Sequence, residues 1–395
     1  MSSAAAVTNS LICVAGVYVK SDKYPNVKYK LLGLQNSNVR YSERNFPVFS
    51  TSGSWGKGRS FAKVFGFIVA SVRAVGSIIH NRKRFAVFYI PYPGISVCFL
   101  LSFIPRSFRP KSIFLDMFIS MYDTVVLDRR LFRKDSKIAR ALYWVERRCM
   151  AVAEKIVVDT PQNALFYSEL FKFPVEMFHV STLAIGDQCK VAPSGSSDVN
   201  QGADVGFLEV LFLGTMVPLH GVEYILSAAK ILRDEKIRFT FVGDGQQSYL
   251  LERYLKENIS EKVIWYKDWK SQSEIAALID SADICLGIFS TSSKAQRVCP
   301  LKLYHYMKVG KAIITGETDW AKGLRFPVDC TPFMTVRCGD ANGLAKAMLV
   351  LLNDREKREG LASRSREFYS QHLTDEIGTA QLAKLLLSEV NGGEA

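Results

Sequence analysis

Three cations mark where this chain can do chemistry: Lys294 and Arg297 in a loop, and Lys302 at the start of the helix that follows. They stand in Lys294-Ala-Gln-Arg-Val-Cys-Pro-Leu-Lys-Leu-Tyr-His-Tyr-Met-Lys-Val-Gly310, between the apolar runs Ile284-Cys-Leu-Gly-Ile-Phe289 and Lys311-Ala-Ile-Ile-Thr315. The pattern reads as buried strand, basic loop, helix, buried strand, with Pro300 opening the helix and Gly310 just past its end. Cations gathered where a strand hands over to a helix N-terminus suit an anionic ligand. The free N–H groups and the helix dipole both point toward it. A phosphate-binding function is the expectation.

The elements that must position these residues follow from hydrophobic periodicity. In the second half, strands are expected at residues 210–214, 238–242, 263–266, 284–289, 312–315 and 333–336. Helices are expected at 222–234, after the capping box Ser271-x-x-Glu274, at 343–352, and along the tail from 355 to 390. The first half shows strands at 11–19, 85–90, 112–115, 155–158 and 176–179, and a helix over 136–153. Strands alternating with helices argue a parallel sheet covered on both faces. Ligands of such sheets sit beyond the strands' carboxyl ends. Here those ends are Gly214-Thr215, Gly243-Asp244-Gly245, Phe289-Ser290 and Thr315-Gly316, with His220-Gly221 aiming helix-start amides into the same crevice. His220 could equally be a loop or capping side chain.

Composition narrows the class. A chain of 395 residues with 48% hydrophobic content is expected to form two domains, divided at the Ser-, Gly- and Pro-rich stretch 191–205. Eight scattered cysteines without a C-x-x-C pair read as reduced thiols of a cytosolic protein. The five histidines (His80, His179, His220, His305, His372) have no metal-ligand spacing. Charge is uneven: residues 1–190 hold 27 Lys and Arg against 12 Asp and Glu, and residues 191–395 hold 24 against 26. The basic half suits a polyanion or an anionic membrane surface, and a solvated basic surface that aids solubility accounts for it too; without zinc spacing or an aromatic-basic sheet motif, no nucleic-acid partner is expected. Residues 85–105 are uncharged and long enough to span a bilayer, but Pro91-Tyr92-Pro93-Gly94 would break such a helix, so a strand, loop and buried helix at 95–104 are expected. Residues 61–79 read as an amphipathic helix.

Several motifs together resemble the donor-binding domain of glycosyltransferase family 4. They are Phe212-Leu-Gly-Thr-Met-Val-Pro-Leu-His-Gly-Val-Glu-Tyr-Ile225, Phe241-Val-Gly-Asp-Gly245, Ala282-Asp-Ile-Cys-Leu-Gly-Ile-Phe289, Pro300-Leu-Lys-Leu-Tyr304 and Gly310-Lys-Ala-Ile-Ile-Thr315. In the first half, Asp116-Met-Phe-Ile-Ser-Met-Tyr-Asp-Thr124, Asp128-Arg129, Val158-Asp-Thr160 and Ala184-Ile-Gly-Asp187 are similar to that group too. The resemblance implies an α/β protein of GT-B fold, with two Rossmann-like parallel-sheet domains facing a central cleft. Residues 1–190 would bind the acceptor, 206–365 the nucleotide-sugar donor, and 366–395 would form a helix crossing back to the first domain. It implies a retaining transferase that needs no metal or other cofactor. Its acceptor would be a glycan, lipid-linked at the cytosolic membrane face, where the protein would be cytoplasmic and peripherally associated.

The site residues the resemblance implies are Gly214, Thr215, His220, Gly221, Gly243, Gly245, Lys294, Arg297, Pro300, Leu301, Lys302 and His305 for the donor. Asp116, Tyr122 and Asp123, with Ser120, would meet the acceptor or the donor sugar. A turn network, with Asp123 and Thr124 capping the next helix, accounts for the latter equally well. Asp159-Thr160 and Gly186-Asp187 read as strand-end turns. The family's paired glutamates are replaced by Arg297 and His305, and its usual basic pair by Thr215 and His220. These departures keep a second reading open: a catalytically weak GT-B protein that partners or regulates another transferase. A dehydrogenase is disfavoured, because no Gly-x-Gly-x-x-Gly follows the first strand.

Overall fold

The computed structural model describes residues 11–21, 25–48, 61–186, 206–258, 261–268, 270–324, 326 and 330–392. The chain divides into two compact units, Met1–Ala184 with Asp375–Ala395, and Ile185–Thr374. The stretch 191–205, expected to be a linker, lies outside the described residues, as does Asp187.

The first unit is built on six parallel strands: β1 (Ile12–Gly16), β2 (Tyr41–Asn45), β3 (Val87–Ile90), β4 (Ser112–Asp116), β5 (Lys155–Val158) and β6 (Phe178–Val180). Their order is β2-β1-β3-β4-β5-β6. Helices α1 (Pro25–Asn36), α2 (Phe61–His80), α3 (Ile95–Leu101), α4 (Lys137–Met150) and α5 (Pro161–Phe171) connect them. β1, β3 and β4 are wholly buried, which is why they read as continuous apolar runs. Residues 85–105 form β3, a loop and α3; among the described residues, no helix is long and apolar enough to cross a membrane. β2 was not expected. Its sequence Tyr-Ser-Glu-Arg-Asn has no apolar alternation, yet it is an edge strand that needs only one hydrogen-bonded neighbour. Asn45 ties it in, accepting from Tyr18 N–H at 3.2 Å and donating to Tyr18 O at 3.1 Å.

The second unit repeats the plan with β7 (Leu208–Leu213), β8 (Ile237–Val242), β9 (Val263–Tyr266), β10 (Ile284–Leu286), β11 (Ala312–Gly316) and β12 (Met334–Val336), ordered β12-β11-β10-β7-β8-β9 and parallel. Its helices are α6 (Val222–Ile231), α7 (Ser248–Glu257), α8 (Gln272–Ser281), α9 (Ser293–Arg297), α10 (Leu301–Val309), α11 (Asp319–Gly323), α12 (Ala341–Asn353) and α13 (Arg355–His372). The capping box forms: Ser271 Oγ accepts from Glu274 N–H, and the Glu274 carboxylate accepts Ser271 N–H at 2.8 Å. α10 ends on Gly310, whose φ of 76° suits a residue without Cβ.

Two expectations need correcting. The tail is two helices: α13 stays with the second unit, its Ser365 Oγ donating to Lys311 O at 2.9 Å, and the chain returns only at α14 (Asp375–Gly392). The crossing therefore begins near residue 375 rather than 366. Leu382, Ala383 and Leu386 of α14 join Ile12, Val14 and Leu31 in one core. The basic loop also contains the short helix α9, N-capped by Ser292. Of the described cysteines, Cys13, Cys98, Cys149, Cys285 and Cys299 are buried free thiols, Cys338 is partly exposed and Cys330 exposed.

Candidate active site

The carboxyl ends of β7, β8 and β10 approach one another so closely that side chains would collide. Gly243 has φ +121°, and a Cβ there would lie 2.2 Å from the Gly214 carbonyl oxygen. Gly221 (φ +67°) would place one 2.6 Å from Ser290 N. Only glycine accepts both the backbone angle and the contact. Gly245 N–H donates to Ser248 Oγ at 2.7 Å where α7 opens, and Thr215 presents an exposed side chain beside it.

Two side chains converge on the end of β7. The place a Cβ of Gly214 would occupy lies 2.7 Å from His220 Cε1, 3.0 Å from His220 Nδ1 and 3.3 Å from Lys302 Nζ. His220 is buried edge-on against Phe212, ring centroids 5.6 Å apart, and its carbonyl accepts Phe289 N–H at 3.0 Å. That bond joins the glycine loop to the end of β10. Lys302 is only 7% exposed. Its ammonium donates to Gly287 O at 3.1 Å and sits over the Phe212 ring, 3.8 Å from the centroid, with no carboxylate within ion-pair distance among the described residues. Burial pulls its pKa well below 10.5. A cation so placed has one carbonyl and one ring face for a buried charge, an arrangement that an entering anion completes.

The rest of the basic segment is arranged around this centre. Pro300 is the extended N-cap of α10, Leu301 its partly buried first residue, and Lys302 its second, so the lysine belongs to the helix's first turn. His305, one turn on, is mostly buried; burial foremost, then the Lys308 charge, lowers its pKa to about 4 and keeps the ring neutral. α9 packs beside the turn Pro218–His220. On it, Lys294 is partly exposed, whereas Arg297 is buried and donates from Nε to Ser293 O at 3.0 Å. Arg297 thus serves α9 itself with at least one of its donors. Phe212, which the sequence offered only as part of the strand 210–214, is the platform under the lysine. No sequence signal distinguishes it from its neighbours in the apolar run.

In the first unit, Asp116 ends β4 and is 1% exposed. It accepts Tyr89 O–H at 2.7 Å and Phe118 N–H at 3.0 Å, with Lys30 Nζ 4.0 Å away. Burial lowers the Lys30 pKa, which the Asp116 charge partly offsets, and burial raises that of Tyr89. Ser120, Tyr122 and Asp123 lie together at the start of a helical segment whose residues Asp123–Asp128 are wound as a π-helix. Ser120 Oγ accepts Asp123 N–H at 3.0 Å and donates to Glu146 Oε2 at 2.6 Å. Glu146 also accepts Met121 N–H and Tyr122 N–H, capping the segment from α4. The sequence did not mark Glu146; it looks like one polar residue within an apolar helical pattern. Its burial raises the carboxyl pKa to about 7 against the pull of its three donors. Asp123 is buried, while Tyr122 is partly exposed, its ring against Tyr143 and Phe171. Among the described residues, no cluster of His, Cys, Asp and Glu could hold a metal ion.

Residues 208–354 match the family described as glycosyl transferases group 1. Comparison by sequence with curated proteins returned no match. By structure, the chain is similar to Anabaena Alr3699/HepE, crystallised with UDP and glucose (15% identity, 96% of this chain and 100% of that one, TM-score 0.66). It is similar also to sucrose-phosphate synthase from Thermosynechococcus elongatus (16% identity, 96% and 99%, TM-score 0.70). A third likeness is WaaG, a glycosyltransferase involved in lipopolysaccharide biosynthesis (12% identity, 95% and 98%, TM-score 0.63). The fold is GT-B.

Proposed function

We propose that the protein is a nucleotide-sugar-dependent glycosyltransferase whose second unit grips the donor diphosphate between Lys302, the first N–H groups of α10 and the glycine loop of β7. One observation carries this reading: a buried ammonium with no carboxylate partner among the described residues, on the first turn of a helix and next to a glycine turn that admits close approach. Positive charge fixed there in advance stabilises the leaving diphosphate as the glycosidic bond to it breaks. Thr215, Gly221, Gly243 and Gly245 bring main-chain groups to the donor, and Lys294 adds a partly exposed cation. His305 stands one helical turn from Lys302, where a neutral imidazole can hydrogen-bond ribose hydroxyls. In the first unit, Tyr122 is the acceptor-facing member of its cluster, while Asp116 and Asp123 hold the turn that presents it.

The transfer retains the sugar's anomeric configuration, by analogy with family 4, and the diphosphate takes the proton from the acceptor hydroxyl. The acceptor is a glycan on a lipid carrier, which the basic first unit suits. Thermal-shift screening of UDP-, GDP- and other nucleotide sugars, followed by transfer to lipid-extract acceptors, tests the reading. Stabilisation by none of these donors refutes it. The replacement of the family's glutamates by Arg297 and His305 favours a second reading, a weakly catalytic partner of another transferase. Donor binding without transfer or donor hydrolysis would select it.

A further inference from the structure

The outer surface of one helical layer of the first unit combines apolar and cationic side chains. α2 packs against α3, and α3 against α4. All three bury their inner sides in one core through Ala74, Ile78, Val97, Leu101, Cys149 and Met150. Their outer sides are also apolar. Val64, Phe65, Ile68 and Val72 recur along one stripe of α2, with Phe65 60% exposed. Past the end of α3, Phe103 is 57% exposed, and α4 contributes Trp144 at 48%. These positions are linked side chain to side chain. Ser71 Oγ donates to Ser96 Oγ at 3.0 Å, and Phe99 meets Phe103 and Trp144 edge-on at 5.0 and 5.6 Å.

Arginines cover the rings. Arg148 lies over Phe103 at 4.8 Å and Trp144 at 5.4 Å, and Arg82 lies over exposed Phe108 at 5.8 Å. Residues 61–150 contain 16 Lys and Arg but only 5 Asp and Glu, with no acid at all between 61 and 115. Four of the five acids, Asp116, Asp123, Asp128 and Glu146, are buried, leaving Asp135, which pairs with Arg133 at 2.8 Å. A protein partner of ordinary charge would find few groups here to pair with its own cations. An anionic bilayer matches both features at once: phosphates for the guanidinium groups, and the acyl boundary for the aromatic rings.

We propose that this α2–α3–α4 face is a docking surface for an anionic phospholipid bilayer, with α2 lying in the plane of the headgroups. Lys and Arg near the lipid surface steer the protein, and Phe65, Ile68, Phe103 and Phe108 anchor it. The inference stands on the first unit alone and deepens the lipid-carrier reading of the acceptor. Its test uses no donor, so its failure leaves the donor site standing.

The full-length protein is floated with vesicles of phosphatidylcholine alone and of phosphatidylcholine mixed with phosphatidylglycerol. Flotation with the anionic vesicles only, suppressed by salt, is the expected result. The double variants Phe65→Ser/Ile68→Ser and Phe103→Ser/Phe108→Ser should each partition about tenfold less, as should Arg106→Glu/Arg140→Glu, which reverses two exposed charges, one two residues before Phe108 and one a helical turn before Trp144 on α4. Circular dichroism and urea unfolding verify that the variants fold. No flotation, or wild-type flotation by all folded variants, overturns the proposal. So does a dimer in solution that the same substitutions break, which would assign the face to a second copy of the chain.

Discussion

Lys302→Met removes the buried charge but keeps most of the side chain's bulk. In the proposed binding mode, the ammonium and the donor diphosphate form a hydrogen-bonded pair out of water. Removing one partner of such a pair costs about 2–5 kcal/mol, so donor affinity should fall at least about thirtyfold. The free protein should respond differently. Among the described residues its ammonium has Gly287 O and the Phe212 ring as partners, so the loss there should stay at about 1 kcal/mol, one ordinary hydrogen bond. The pH dependence separates these effects. Burial depresses the folded-state pKa below 10.5, so between that pKa and 10.5 the unfolded chain binds a proton that the folded one lacks. Wild-type stability therefore rises with pH across that window, and the methionine variant should lose that rise. Donor binding should raise the pKa again and take up a proton, read by calorimetry in buffers of different ionisation enthalpy. A folded Lys302→Met protein that binds donor within about threefold of wild type, or shows the same proton uptake, would refute the assignment.

Three further outcomes follow from particular contacts. Gly243→Ala meets both the +121° φ and a backbone oxygen 2.2 Å from its methyl group, so we expect at least about 2 kcal/mol of lost stability by urea unfolding and no measurable donor shift. His305→Ala should weaken nucleotide-sugar binding about tenfold while leaving pyrophosphate binding unchanged; equal losses for both ligands would place the ring at the phosphates instead of the ribose. Glu146 carries a folded-state pKa of about 7 against 4.5, so its contribution to stability is complete below 4.5 and declines as pH rises toward 7. Glu146→Gln should flatten this part of the unfolding profile, and an unchanged slope would assign it to another group.

Much of the second unit was legible because its strands are buried on both faces and its turns use residues with narrow conformational roles. Ile284-Cys-Leu and Ala312-Ile-Ile-Thr could only be central strands, and Gly310 stops α10 where a left-handed residue is required. Where the signal was weak, the reason is physical. β2 takes its backbone pairing from β1 and buries no apolar face, so it left no pattern. The break between α13 and α14 falls inside a continuous helical pattern and is set by which sheet each helix packs against.

The sequence by itself determined two parallel α/β sheets, the glycine turns and a basic strand-to-helix junction, since each rests on local rules of periodicity and backbone freedom. Only the tertiary structure decided what each charge faces. Lys302 and Arg297 look alike in the chain, but one lies over Phe212 at the carboxyl end of β7 and the other bonds back to its own helix. Burial and partner, which depend on residues far apart in sequence, separate a cation held over an aromatic face from one that ties down its own helix.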